Sequence, residues 1–239
     1  MRALIIDDER LARKELTTLL ADINDIEIVG EANNADDAFE KIQKLKPDLL
    51  FLDIQMPGKT GFDLLEMLDT VPQVIFTTAY DEYALKAFDV NALDYLLKPI
   101  QKDRLLESVK KLTTEQPEEA TPAQEPRKLK GTDQVFVKDG ERCWFVRLSE
   151  VRLFESEGNY IKVYFEGNRP MIHKSLNALD EKLDDRTFFR ASRKHIINLS
   201  WIEKIEPWFN GGLMVQLKGG ERVEVSRRQA SRFKEKMSL

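Results

Sequence analysis

Over residues 2 to 112, short apolar runs alternate with longer stretches of helical spacing. The runs are Ala3-Leu-Ile-Ile6, Ile26-Glu-Ile-Val-Gly30, Leu49-Leu-Phe-Leu52, Val74-Ile-Phe-Thr77 and Leu93-Asp-Tyr-Leu-Leu97. Between them, stretches such as Leu11 to Leu20 and Ala35 to Leu45 carry apolar residues three and four positions apart, the period of an amphipathic helix. Five βα units follow from this pattern. Such a repeat builds a parallel sheet with helices on both faces, because each crossover must return right-handed across it.

The pattern then breaks. From Thr113 to Arg127 the chain reads TTEQPEEATPAQEPR, with Pro117, Pro122, Pro126, four glutamates and no large apolar residue. Such a segment cannot bury enough surface to order itself and is predicted to be a linker. Beyond it come short β-prone runs: Val135-Phe-Val137, Cys143-Trp-Phe-Val146, Val151-Arg-Leu-Phe154, Tyr160-Ile-Lys-Val-Tyr-Phe165, Ile196-Ile197, Leu213-Met-Val-Gln-Leu217 and Arg222-Val-Glu-Val225. Turn signals separate them at Asp139-Gly140, Glu157-Gly158-Asn159, Gly167-Asn168, Asn210-Gly211-Gly212 and Gly219-Gly220. This half is expected to be mainly antiparallel sheet, with one helix over Leu176 to Leu183 behind an N-cap at Ser175 and a short one from Arg228 onward. The expected organisation is an α/β domain over 1–112, a flexible linker over 113–129 and a mainly β domain over 130–239.

With 239 residues, each half is long enough to bury its own core. No apolar run reaches the length of a membrane helix, and the four apolar residues before Asp7 are too few for a secretory signal, so a cytoplasmic protein with no membrane insertion is expected. The single cysteine, Cys143, has no internal disulfide partner, and two histidines do not supply a Cys/His zinc site. Charge is split unevenly: residues 1–126 hold 14 Lys and Arg against 26 Asp and Glu, residues 127–239 hold 23 against 16. The basic second half points to a polyanionic partner.

In an open α/β sheet, ligands bind beyond the carboxyl ends of the strands. Asp7 and Asp8 follow the first predicted strand and Asp53 follows the third, so three carboxylates converge. A cation must neutralise them, and an all-oxygen donor set suits Mg²⁺. Thr78 ends the fourth strand and Lys98 the fifth, adding a hydroxyl and an ammonium for phosphoryl oxygens.

The segments Asp7-Asp8-Glu9, Phe51-Leu-Asp53-Ile-Gln-Met-Pro57 with Gly61, Thr77-Thr78-Ala79 and Lys98-Pro99 resemble the receiver signature of response regulators over about 110 residues. The resemblance implies strand order 2-1-3-4-5, phosphorylation of Asp53 by a sensor histidine kinase, and Mg²⁺ held by Asp8, Asp53 and the Gln55 carbonyl with Asp7 acting through a water. It further implies that Thr78 and Lys98 hold the phosphoryl oxygens, that Tyr95 is an aromatic switch, that the Lys98-Pro99 bond is cis, and that the phosphorylated chain dimerises. The dimer surface is expected on the fourth strand, Glu82 to Val90 and the fifth strand.

In the second half, Phe154-Glu-Ser-Glu-Gly-Asn-Tyr160, Lys174-Ser-Leu with Leu179 and Leu183, Phe188-Phe-Arg-Ala-Ser-Arg193, Ile196-Ile-Asn198 and Val225-Ser-Arg-Arg228 are similar to the LytTR DNA-binding domain. Paired with a receiver, they place the chain near the LytR/AlgR class. That resemblance implies binding to double-stranded promoter DNA, with base reading from the Gly158-Asn159-Tyr160 turn, Arg193 and Arg228. Arginine suits guanine and asparagine suits adenine. Lys162, Lys174, Arg190, Lys194 and Arg227 are expected on phosphates. The family often has histidine where this chain has Ser192. His173 and His195 are read as surface or packing groups, and Trp201, Trp208 and Phe209 as core anchors.

Two other readings stand beside this one. Aspartyl-phosphate phosphatases place a protonating acid two residues beyond the nucleophile, but here that residue is Gln55, so turnover of outside substrates is not expected. The output half alternatively takes a protein or RNA target.

Overall fold

The computed structural model describes residues 1–79, 94–114, 128–140 and 142–237. The expected segment from Glu82 to Val90 and most of the expected linker lie outside them. Two compact units result, one of Met1–Glu119 with Gln134–Phe136 and Gly140–Phe145, the other of Ala120–Asp133, Val137–Asp139 and Val146–Leu239.

In the first unit, β1 (Arg2–Ile6), β2 (Glu27–Ala32), β3 (Leu49–Asp53), β4 (Gln73–Thr78) and β5 (Asp94–Leu97) form one sheet in the order β2-β1-β3-β4-β5. Every pairing in it is parallel. All five residues of β3 are buried, and alternation divides them: Leu50 and Leu52 enter one core, Leu49 and Phe51 the other. Helices α1 (Arg10–Leu20) and α4 (Lys102–Thr114) cover the second core through Leu16, Leu20, Leu105 and Val109. Helices α2 (Ala35–Leu45) and α3 (Gly61–Met67) cover the first through Ala38, Ile42, Phe62 and Leu65. Phe136 and Phe145 extend that core, Phe136 stacking on Phe62 at 6.2 Å between centroids.

The helix starts are written locally. Asn34 caps α2 by accepting from Asp37 N at 2.9 Å, with Asp36 and Asp37 in the first turn. Thr60 and Asp63 form a reciprocal capping box at α3, Thr60 N donating to Asp63 Oδ2 at 2.9 Å.

The second unit holds an antiparallel sheet in the order β10-β9-β8-β12-β11, built from β8 (Val151–Glu157), β9 (Tyr160–Phe165), β10 (Met171–Ile172), β11 (Phe188–Arg190) and β12 (His195–Asn198). A three-stranded sheet of β13 (Ile202–Pro207), β14 (Leu213–Leu217) and β15 (Arg222–Val225) accompanies it. Short helix α5 (Leu176–Lys182) starts at Ser175, which accepts from Ala178 N at 3.4 Å. The last helix, α6 (Arg227–Met237), seats Phe233 edge-on against Phe189 in a core with Val215, Leu217, Val223 and Val225. Strands β6 (Gln134–Asp139) and β7 (Arg142–Arg147) pair with each other.

Strands β10, β11 and β13 have no counterpart in the sequence reading. The first two are only two and three residues long. In β13 the register shifts between Ile202 and Lys204, and Ile202 and Ile205 both pack on the core despite their three-residue spacing. A bulge has turned a helix-like spacing into a strand.

Two buried polar groups fasten this unit. Asn198, fully buried, donates to the Val151 carbonyl at 2.9 Å and accepts from Ser200 N at 3.0 Å. Arg152, 4% exposed, holds Glu221 through Nε at 2.9 Å and Nη2 at 2.8 Å, and also donates to the Glu166 carbonyl at 2.8 Å.

Candidate functional site

The carboxyl ends of β1 and β3 bring Asp7, Asp8 and Asp53 together, one ligand oxygen of each lying within 4.8 Å of the others. Asp7 and Asp53 are buried and Asp8 is exposed. Lys98, just past β5, reaches across with its ammonium 2.7 Å from Asp7 Oδ2 and 2.8 Å from Asp53 Oδ2. Thr78, fully buried at the end of β4, accepts Lys98 N on its carbonyl at 2.7 Å, tying the two strand ends together. The Lys98-Pro99 peptide is cis, as expected. Gln55 N donates to Asp53 Oδ1 at 3.1 Å, and Tyr95 is half-buried against the core that holds Leu52 and Phe76.

Burial pushes the Asp53 carboxyl above its ordinary value; the Lys98 ammonium offsets this only in part, and the neighbouring Asp7 adds to the rise. For Lys98, burial disfavours the charge, but bonding to Asp53 and Asp7 outweighs it and holds the ammonium above its usual range. Among the described residues, the carboxylates of Asp7 and Asp53 share the Lys98 ammonium, and Asp8 lies beside them. The uncompensated negative charge and hard oxygen donors fit a divalent ion such as Mg²⁺, with Asp8 open to solvent for its waters.

Two supports complete the site, Arg13, which the sequence reading missed, and Gly61, which it named only as part of the signature. Arg13 donates to the Asp7 carbonyl at 2.7 Å while its Nε pairs with Glu31 at 3.0 Å, so the first helix braces the acidic loop. Gly61 packs so closely that a Cβ there would lie 2.4 Å from the Asp53 carbonyl oxygen. The absent side chain lets the start of α3 close over the end of β3.

In the second unit the basic residues collect where several loops meet. Strands β8 and β9 close at the Glu157 and Tyr160 pair, and the turn between them holds Gly158 at φ 63° and exposed Asn159. His195 pairs with Glu155, and Ser156 N donates to the Lys194 carbonyl at 2.7 Å, setting the 191–194 turn beside the first. Ser226 N donates to the Ala191 carbonyl at 3.1 Å, which brings the start of α6 to the same turn. Arg193, Lys194, Arg227 and Arg228 are exposed there. Lys174 is exposed after β10, Lys162 pairs with Glu157, and Tyr160, 45% exposed, meets His173 edge-on at 5.4 Å.

Arg190 differs from its neighbours. It is half-buried and donates to the carbonyls of Ser192 (2.7 Å), Leu176 (2.9 Å) and Arg193 (2.8 Å) and to Asn177 Oδ1 (3.1 Å). Burial draws its pKa below the ordinary value without removing the charge. With four of five N–H groups committed, this guanidinium holds the Arg193 turn in shape, a structural role the sequence reading, which expected a phosphate contact, did not assign. Beneath the turn, Ser192 Oγ lies 3.1 Å from His195 Nδ1, and His195 Nε2 lies 3.5 Å from Glu155. Burial pushes Glu155 up, but bonds from Tyr164 and His195 outweigh it and hold the carboxyl below its usual range. Burial and Glu155 together push the Tyr164 phenol up to about 12. The expectation for the aromatics holds in part: Trp201 is half-buried with Nε1 on the Ser149 carbonyl at 2.7 Å, whereas Phe209 is 74% exposed and is no core anchor.

Comparison with known proteins defines the class. Residues 3–110 match the response regulator receiver domain, and residues 141–238 match the LytTr DNA-binding domain. The sensory transduction protein LytT of Enterococcus faecalis is 36% identical over 242 residues, covering 100% of both chains. LytT of Bacillus subtilis is 35% identical over 250 residues, and the transcriptional regulatory protein BtsR of Escherichia coli 35% over 243, again covering 100% of each chain. The chain belongs to the LytTR family of two-component response regulators, which join a receiver to a DNA-binding domain. No helix among the described residues is long and apolar enough to cross a membrane.

Proposed function

We propose that this chain is a phosphorylation-controlled transcription factor in which Asp53 accepts a phosphoryl group from a sensor histidine kinase and the second domain, dimerised, binds specific promoter DNA. The observation that carries the receiver half is the meeting of Asp7, Asp8 and Asp53 within 4.8 Å under the Lys98 ammonium. A carboxylate oxygen of Asp53 attacks phosphorus while the P–N bond to the kinase histidine breaks and its electron pair leaves with the imidazole. Lys98, which bridges Asp7 and Asp53 before transfer, follows the new charge onto the phosphoryl oxygens. The Thr78 hydroxyl turns toward the same oxygens, and Tyr95 moves inward behind it. Asp8, Asp53 and the Gln55 carbonyl would hold Mg²⁺, with Asp7 through a water; the ion supplies charge neutralisation at the transferring group.

Tyr95 movement repacks the face of β4 and β5, and that face forms the dimer. The proposed division is a receiver over 1–112, a linker over 113–129 and a DNA-binding domain over 130–239, in a cytoplasmic protein. On DNA, Asn159, Arg193 and Arg228 read base edges and Tyr160 lines their groove, while Lys162, Lys174, Lys194 and Arg227 meet phosphates. Arg190 fixes the turn that aims Arg193.

Two measurements test this. Asp53→Asn should abolish labelling by a small-molecule phosphodonor with circular dichroism unchanged; continued stoichiometric labelling removes Asp53 from the role. In gel shifts on its own promoter duplex, the phosphorylated protein should bind specifically and with strong salt sensitivity, and Arg228→Ala should weaken that binding without altering phosphorylation. Absence of duplex binding even at low salt would refute the DNA reading.

A further inference from the structure

The loop between β13 and β14 carries an aromatic ring that the fold does not use. Phe209 is 74% exposed, and its one described ring contact is edge-on to half-buried Trp208, at 4.8 Å between centroids. Backbone hydrogen bonds close the loop on itself. Trp208 N donates to the Gly212 carbonyl at 3.0 Å and Gly212 N to the Phe209 carbonyl at 3.1 Å, with Gly211 at φ 77°. Its position is also set: a Cβ on Gly212 would lie 3.1 Å from the Val225 carbonyl oxygen, and one on Gly211 would lie 3.9 Å from Arg227 Cγ. The loop therefore packs directly beside the start of α6, where Arg227 and Arg228 are exposed and where Ser226 is bonded to the turn of Arg193 and Lys194.

An exposed ring beside Arg227 and Arg228 is a poor surface for a second copy of this chain, which would bring those like charges together. A duplex suits both parts, since phosphates meet the guanidinium and ammonium groups while the groove offers thymine methyls and sugar edges to a ring. Glu206, on the strand entering the loop, does not oppose this because it is paired with Lys204 at 2.6 Å and Arg222 at 3.6 Å.

We infer that Phe209 is a DNA-contact residue, placed by Trp208 and the Gly211-Gly212 turn to lay its ring against the apolar edge of a base or deoxyribose next to the contacts of Arg227 and Arg228. The inference rests on the DNA-binding reading above and adds to it an apolar element that the basic residues alone lack.

The test uses the full chain treated with a phosphodonor, and as probe a duplex that the wild-type protein selects from a random-sequence pool. Phe209→Ala should raise Kd by about tenfold, the scale of one lost groove contact. The slope of log K against log salt should stay at the wild-type value, because no phosphate contact and no counterion release is lost. Phe209→Leu should recover most of the affinity, and Arg227→Ala should instead lower the slope by about one. Wild-type affinity in Phe209→Ala overturns the inference while leaving the DNA reading intact. So does a change confined to self-association of the free protein in sedimentation, which would assign the ring to a protein contact. If the wild-type chain selects no duplex at all, the DNA reading falls and Phe209 with it.

Discussion

The Arg152 and Glu221 pair gives the sharpest test of how the second unit is held together. Arg152→Ala leaves the Glu221 carboxylate, 11% exposed at its side chain, without its bidentate partner and strips the Glu166 carbonyl of a donor. Removing one member of a buried pair costs about 3–5 kcal/mol. With a urea m-value of about 1–3 kcal/mol/M, the unfolding midpoint of this unit should fall by roughly 1 M or more. Two of the three tryptophans, Trp201 and Trp208, lie in this unit, so their fluorescence follows its unfolding within the full chain. Glu221→Gln keeps the shape and should cost less, about 1–3 kcal/mol.

The pair also predicts a pH dependence. Burial pushes Glu221 up, but hydrogen bonding and charge from Arg152 outweigh it and leave its folded pKa below the ordinary value. A group lowered on folding stabilises fully above its unfolded pKa, about 4.3, and loses that contribution as pH falls through the folded value. The stability gap between wild type and Glu221→Gln should therefore be full at neutral pH and close on acidification below that point. A cost under about 1 kcal/mol for Arg152→Ala would show that the pair is replaceable. A gap that stays constant from neutral to strongly acidic pH would show that Glu221 is not held charged by it.

Two further outcomes follow from close packing. Gly61→Ala forces a methyl to 2.4 Å from the Asp53 carbonyl oxygen, so it should destabilise the receiver by about 1–3 kcal/mol in circular dichroism melts and slow Asp53 labelling; wild-type values of both would refute the close approach. Arg190→Lys retains charge but loses the fork that meets four acceptors, so specific DNA affinity should fall while the salt slope holds, and a slope reduced by about one would make Arg190 a phosphate contact after all.

The receiver fold was legible because its signals are local and repeated. Buried runs such as Leu49 to Leu52, caps such as Asn34 and Thr60, and acids placed just past predicted strands each declare themselves within a few residues. Parallel topology then determines which strand ends share an edge, so Asp7, Asp8, Asp53, Thr78 and Lys98 group together from the strand pattern alone. The second unit was legible as antiparallel sheet with its helix at Leu176, but not in its short strands, since a strand of two or three residues has no period to detect.

What only the tertiary structure decided is the use of each polar or aromatic side chain once distant segments meet. The sequence reading put both Arg190 and Arg193 on DNA; the turn geometry half-buries one among carbonyls and leaves the other exposed. Phe209 read as core because phenylalanine usually is, yet a glycine turn against Val225 holds it out beside Arg227. Ion pairing between Arg152 and Glu221 spans 69 positions of chain, and no local pattern encodes it. Chain patterning reaches as far as secondary structure and strand order extend; partner choice among charged and aromatic groups is set by distances that exist only after the chain has closed on itself.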